Sequence, residues 1–145
     1  METQTMGRVV TEATIESLQD LYAVKQGLLS LDQVRRVTVS DALVDTGATL
    51  LSLPTSLIRQ LGLSQFSSKA VLTSNGVIAK MPMYEAVRLT IQGRDCTIDV
   101  LEVPDGVPVL IGQIPLEHLD LLVDPAKRAL TGNPVHGGQH VYEMF

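Results

Sequence analysis

Ala42-Leu43-Val44-Asp45-Thr46-Gly47-Ala48 is the stretch on which the reading of this chain turns. Three apolar residues form a short strand that delivers an acid at its end. An ionised carboxylate buried without a partner is costly, so local groups are expected to hold it. Thr46 supplies a hydroxyl for a local hydrogen bond, and Gly47, lacking a Cβ, lets the backbone approach the carboxylate closely. The plain alternative is an Asp that merely caps a turn through its side chain. A given tripeptide arises by chance in on the order of a few per cent of chains this size, so the surroundings must decide.

Upstream, Arg8-Val9-Val10-Thr11-Glu12-Ala13-Thr14-Ile15 alternates, with Val9, Ala13 and Ile15 on one face, and reads as a strand. Residues 34–38 read the same way. Between them Leu18, Leu21, Tyr22, Val24 and Leu28 mix helical and strand spacing and settle on neither period, while Ser30-Leu31-Asp32-Gln33 has the form of a capping box that opens a helical turn.

Downstream, Pro54 is placed for the first turn of a short helix with Leu57, Ile58 and Leu61 on one face and Gly62 closing it. Val71-Leu72-Thr73 and Val77-Ile78-Ala79 flank Ser74-Asn75-Gly76, and Asn-Gly is the strongest short hairpin signal. Two further strands, 86–91 and 96–103, are parted by Gln92-Gly93-Arg94. The apolar run Val107-Pro108-Val109-Leu110-Ile111-Gly112 ends at a glycine and precedes a helix over 115–119. Strands at 121–123 and ending at 129–130 are separated by the turn former Asp124-Pro125. Many short strands with few helices predict a mainly β fold.

Composition bounds the function. The chain has 145 residues, 45% apolar and 19% charged, with aromatics at only 3%, so the core must come from Leu, Val, Ile and Ala. A formal charge of −5 argues against nucleic acid as a partner, because phosphate binding needs clustered Lys and Arg. The basic pairs Arg35-Arg36 and Lys127-Arg128 read as solvated strand ends or turns. Cys96, the lone cysteine, reads as a small buried apolar residue; a nucleophilic thiol would want a histidine partner, and His118, His136 and His140 lie in unrelated contexts. His136-Gly137-Gly138-Gln139-His140 lacks a cysteine or carboxylate at ligand spacing and reads as solvated, so no metal and no cofactor is expected. No signal-peptide-like or membrane-spanning apolar stretch is seen, so no membrane partner and a cytoplasmic location are expected. No repeat or long linker divides the chain, which predicts one domain over 1–145, with a core at about 8–130 and a tail over 131–145. The initiator-like Met1 favours a complete small protein over a domain cut from a polyprotein.

Taken together, the pieces resemble the retropepsin-like (retroviral-type) aspartic peptidases, as a single-domain, bacterial-type member, and the resemblance spans about residues 8–130. An apolar strand runs into Asp45-Thr46-Gly47-Ala48. The Asn-Gly hairpin falls about thirty residues later, where the family has its flap, so Ser74, Asn75, Gly76 and Val77 become flap and substrate-binding candidates. Leu110-Ile111-Gly112 matches the second apolar-apolar-Gly element, and a short helix follows. The resemblance implies an acid-protease half-barrel with one or two short helices, working as a two-fold homodimer. Retroviral members commonly carry an acid where Thr49 stands and an arginine where Gln113 stands; here both are uncharged, so neither is left as an orphan charge. The multi-glycine flap tip is also absent.

The implied reaction needs two carboxylates sharing one proton, one acting as base toward water while the other polarises the scissile carbonyl. Asp41, Asp95, Asp99, Asp105, Asp120 and Asp124 lack the Asp-Thr/Ser-Gly pattern, so the partner of catalytic Asp45 is expected to be Asp45 of a second copy, with Thr46, Gly47 and Ala48 as loop support. The expected partners are a second copy of the chain and a peptide or protein substrate. Val141-Tyr142-Glu143-Met144-Phe145 is a candidate interface segment. From a different class, the competing reading is a noncatalytic dimeric peptide-binding or assembly module on the same fold.

Overall fold

Nine strands and three α-helices order the described part of the chain, which is residues 8–144 in a computed structural model. The strands are β1 (Val9–Ser17), β2 (Arg36–Val44), β3 (Leu51–Pro54), β4 (Ser64–Leu72), β5 (Ile78–Ile91), β6 (Arg94–Val103), β7 (Leu110–Ile111), β8 (Leu121–Asp124) and β9 (Ala129–Gly132). The helices are α1 (Leu18–Lys25), α2 (Thr55–Leu61) and α3 (Gln113–Leu119), with 3₁₀ turns at Leu31–Gln33 and Pro134–His136.

Six strands close into a ring in the order β1-β2-β7-β3-β6-β5, and β5 returns to β1. A closed barrel of this kind satisfies the backbone donors and acceptors that open edges would leave unpaired. The mainly β expectation is met. The half-barrel takes the form of a closed six-strand barrel, with three short helices where one or two were expected. Ala13, Ile15, Leu51, Leu53, Val87, Leu89, Val100 and Ile111 are fully buried inside it, each large aliphatic side chain contributing about 2 kcal/mol by its burial.

Helix α1 occupies the stretch whose period would not settle. Its only buried residue is Asp20, not an apolar stripe, so periodicity carried no signal there. Ser17 caps it by accepting from the Asp20 N–H, and the Asp20 carboxylate takes three hydrogen bonds from Arg35, through its backbone N–H and guanidinium, at 2.8–2.9 Å. Arg36 and Arg88 likewise pair with Glu16, at 3.1 and 2.8 Å. Arg35 and Arg36 are therefore exposed at the start of β2 as read, but also ion-paired, a long-range fact that local spacing cannot carry.

The expected strands at 77–79 and 86–91 are one strand, β5. Pro82 does not break it because β6 pairing begins only at Met83, which leaves one edge of β5 open at the proline. Residues 107–109 form no strand, and β7 is confined to Leu110–Ile111. Helix α3 begins two residues earlier than expected, at Gln113. Gly62 ends α2 in the left-handed conformation (φ 63°) as read from the sequence, and β8–β9 form the expected hairpin.

Candidate active site

Asp45 follows the last residue of β2, and the geometry around it begins with strand order. β7 lies between β2 and β3, pairing Val44 with Ile111 in parallel and Leu51 with Ile111 antiparallel. The chain must therefore leave β2, cross the end of β7 and enter β3, and residues 45–50 make that crossing. The Asp45 N–H donates to Ile111 O at 3.0 Å. The N–H groups of Gly112, Gln113 and Ile114 then donate to Leu50 O, Ala48 O and Thr49 O at 3.0, 2.8 and 3.0 Å. Opening residues of a helix have N–H groups without intrahelical acceptors; here the start of α3 spends them on the Asp45 loop.

This contact explains the second apolar-Gly element. A Cβ on Gly112 would stand 2.6 Å from Leu50 O and 2.7 Å from Ala48 O and Thr49 C. Only glycine lets the loop rest on the β7–α3 corner. Leu110 and Ile111 hold that corner by pairing on both sides, with Ile111 fully buried.

Within the loop, Asp45 Oδ1 accepts from the Gly47 N–H at 3.0 Å, and the Ala48 N–H donates to Asp45 O at 3.0 Å. Asp45, Thr46 and Gly47 are exposed in the single chain. The local support expected for Asp45 is thus the Gly47 amide, and the carboxylate itself stands open rather than buried. Gln113 does not reach toward Thr49 by its side chain but donates to Glu117 at 3.3 Å, and the charged brace of retroviral members has no counterpart at these positions.

Ser74, Asn75, Gly76 and Val77 lie at the tip of the β4–β5 hairpin, with Gly76 at φ 81°. The Thr73 N–H donates to Val77 O at 2.8 Å, and the Gly76 N–H to Thr73 O at 3.0 Å. Around that turn Leu72, Val77 and Ile78 are exposed. The sequence-picked residues thus form two groups, the Asp45 loop joined to 110–112, and the hairpin tip. Missed by the sequence reading were the carbonyls of Ala48, Thr49 and Leu50 and the Ile114 N–H; they are backbone groups, and no side-chain pattern marks them.

The histidines divide. His136, read as solvated, is mostly buried, with Nδ1 and Nε2 each 2.7 Å from a carboxylate, Asp120 and Glu143 respectively. Asp120 also accepts from the Val141 N–H at 3.1 Å, which brings the tail back onto its own chain. Phe145, part of the candidate interface segment, lies outside the described residues, as do residues 1–7. Cys96 is buried, and burial pushes its thiol up to about 11, which fits a packing role. Among the described residues no group of three or more His, Cys, Asp or Glu side chains is set to hold a metal ion, and no helix is long and apolar enough to cross a membrane.

The family described as aspartyl protease matches residues 29–114 of the chain, a span that includes the Asp45 loop, the hairpin and Gly112. Among solved structures, the chain is similar to EIAV protease complexed with the inhibitor HBY-793, with 18% identity over 76% of this chain and 86% of that one, and a TM-score of 0.49. No curated protein matches the sequence.

Proposed function

We propose that this chain, which belongs to the aspartyl protease family, is an endopeptidase working as a two-fold homodimer in which each subunit contributes Asp45. The observation that carries this reading is the exposed Asp45 on a loop pinned from beneath by Gly112, Gln113 and Ile114. A carboxylate held rigidly yet left open to solvent is poised to meet a second copy across a symmetry axis. The other aspartates lack such a loop motif, so one chain holds half of a dyad.

In the proposed dimer the two carboxylates share one proton, because like charges this close cannot both ionise. The ionised one takes a proton from a water, whose oxygen attacks the scissile carbonyl; the protonated one donates a hydrogen bond to the carbonyl oxygen. Proton transfer to the amide nitrogen then releases the amine as the C–N bond breaks. The β4–β5 hairpin, with Ser74 to Val77 at its tip, is proposed to cover an extended peptide and to offer it backbone hydrogen bonds. Exposed Val141, Tyr142 and Met144 are further candidates for the contact between copies.

Subunit mixing tests the shared dyad. Wild-type and Asp45→Asn chains are combined at fixed total concentration, allowed to exchange, and assayed on a peptide library. Activity should follow the square of the wild-type fraction, so an equal mixture keeps about one quarter of the full rate. A linear dependence, or an Asp45→Asn protein with wild-type activity, would overturn the assignment.

A further inference from the structure

Strand β5 does two jobs along its length. Its residues 87–90 belong to the barrel, pairing with β1 from Ser17↔Val87 to Thr14↔Thr90 and with β6 from Val87↔Ile98 onward. Its residues 78–85 leave β1 and pair with β4 instead, from Leu72↔Ile78 to Ser64↔Glu85. The handover falls on an irregularity. Register with β6 jumps from Tyr84↔Val100 to Val87↔Ile98, so Glu85 and Ala86 together oppose one residue, Asp99. Bulges of this kind bend a strand and re-aim the residues beyond them. Past the bend the arm has little core of its own, since eight of the nine residues of β4 are exposed.

Met83 and Tyr84 stay paired with Leu101 and Val100 of β6, so the arm is rooted there, and side chains at that root help set its angle. On one face of the bend, the Tyr84 hydroxyl donates to Glu102 Oε1 at 3.0 Å, and the Thr55 hydroxyl donates to Glu102 Oε2 at 2.6 Å. Thr55 opens α2, and Glu102 lies in β6 opposite Leu53 of β3. The root of the arm is thereby tied to two barrel strands and a helix. Desolvation, reinforced by Glu102, raises the Tyr84 hydroxyl above its usual value, as suits a donor kept protonated. Consecutive strand residues point to opposite faces, and Glu85 faces the other way, into an open groove of about 590 Å³ that it lines with Ser64, Gln19 and Tyr22. The bend thus has a hydrogen-bonded latch on one side and free space on the other.

We propose that Tyr84 is a positioning residue whose bond to Glu102 fixes the angle of the β4–β5 arm at the Glu85–Ala86 bend, and so governs peptide capture. The part concerning peptide capture rests on the endopeptidase reading above. The latch itself rests only on the barrel geometry. Breaking it loosens the arm beyond its β6-paired root at Met83 and Tyr84 while leaving the Asp45 loop, pinned by β7 and α3, in place.

The test compares Tyr84→Phe, Glu102→Ala and Glu102→Gln by amide hydrogen exchange of the full chain and by steady-state peptide hydrolysis. Tyr84→Phe and Glu102→Ala should each speed exchange in residues 64–83 by about three- to tenfold, the scale of one ordinary hydrogen bond at a partly exposed site. Exchange in residues 45–50 and in β1 should not change. KM should rise by a similar factor with kcat within about twofold, since binding rather than chemistry is touched. Glu102→Gln retains an acceptor for Tyr84 and should stay near wild type. Unchanged arm exchange in Tyr84→Phe, or faster exchange spread evenly over the barrel, would overturn the latch. A wild-type protein that cleaves no peptide would sink the endopeptidase reading instead, with the exchange comparison still deciding the latch.

Discussion

Replacing Gly112 by alanine tests whether the second apolar-Gly element exists to seat the Asp45 loop. Gly112 has φ −88°, which alanine adopts freely, so the cost lies in space alone. The new methyl would sit 2.6 Å from Leu50 O and 2.7 Å from Ala48 O and Thr49 C, all backbone atoms, where ordinary contact begins near 3.4 Å. About 0.8 Å must be found by parting the loop from the β7–α3 corner. The hydrogen bonds from Gly112, Gln113 and Ile114, now 2.8–3.0 Å, would stretch past useful length. Overpacking of this kind costs about 1–3 kcal/mol, and the weakened hydrogen bonds share the same displacement, so a total of about 2–4 kcal/mol is expected. For a domain of this size that lowers Tm by roughly 6–15 °C. Since Asp45 rides on the loop, kcat/KM should also fall by about 100-fold, as small misplacements of reacting groups do. Calorimetry and peptide hydrolysis read the two effects. A variant with wild-type Tm and wild-type kcat/KM would refute the seating role.

Gly62→Ala should destabilise by about 2–4 kcal/mol in urea unfolding, from the left-handed backbone and from the hydrogen bonds it breaks. Its methyl would fall 1.8 Å from Arg35 Nη1 and so drive the guanidinium off buried Asp20, making the loss non-additive with Asp20→Asn; full additivity would contradict the link. The tail should be clasped in an acidic window. Both ring nitrogens of His136 face carboxylates at 2.7 Å, which only the imidazolium satisfies. Glu143 first, and Asp120 second, raise His136 above 6.5. Asp120, although desolvated, is held down to about 2 by His136, the Val141 N–H and Asn133. The histidine contribution is complete below pH 6.5 and lost as pH rises through the raised value, while that of Asp120 is complete above 3.8 and lost as pH falls toward 2. The clasp is therefore tightest between about pH 4 and 6.5. NMR titration of the His136 ring and the Val141 amide should show one shared transition above 6.5; a midpoint below 6.5 would refute the clasp.

Elements whose cause is local were legible in the chain before any coordinates. The Asn75-Gly76 hairpin, the Gly62 helix stop and the inward face of Val9, Ala13 and Ile15 all arise from backbone preference or period. Helix α1 was not legible, because it buries a charge rather than a stripe and that charge is matched by Arg35, fifteen residues away. The same holds for His136, whose partners are sixteen residues upstream and seven downstream.

The candidate site divides along the same line. Sequence by itself determined which acid stands at a strand end, that a glycine comes two residues on, and that no other aspartate repeats the motif, since these depend on residue identity and spacing. Only the tertiary structure decided that Asp45 stands open to solvent, that Gly112 must be glycine, and that β5 bends where β4 replaces β1. Those depend on which backbones cross in space. The carbonyls of 48–50 meet the N–H groups of 112–114 because β7 inserts between β2 and β3, and strand order of that kind is set by the closure of the whole barrel, not by any stretch of the chain within it.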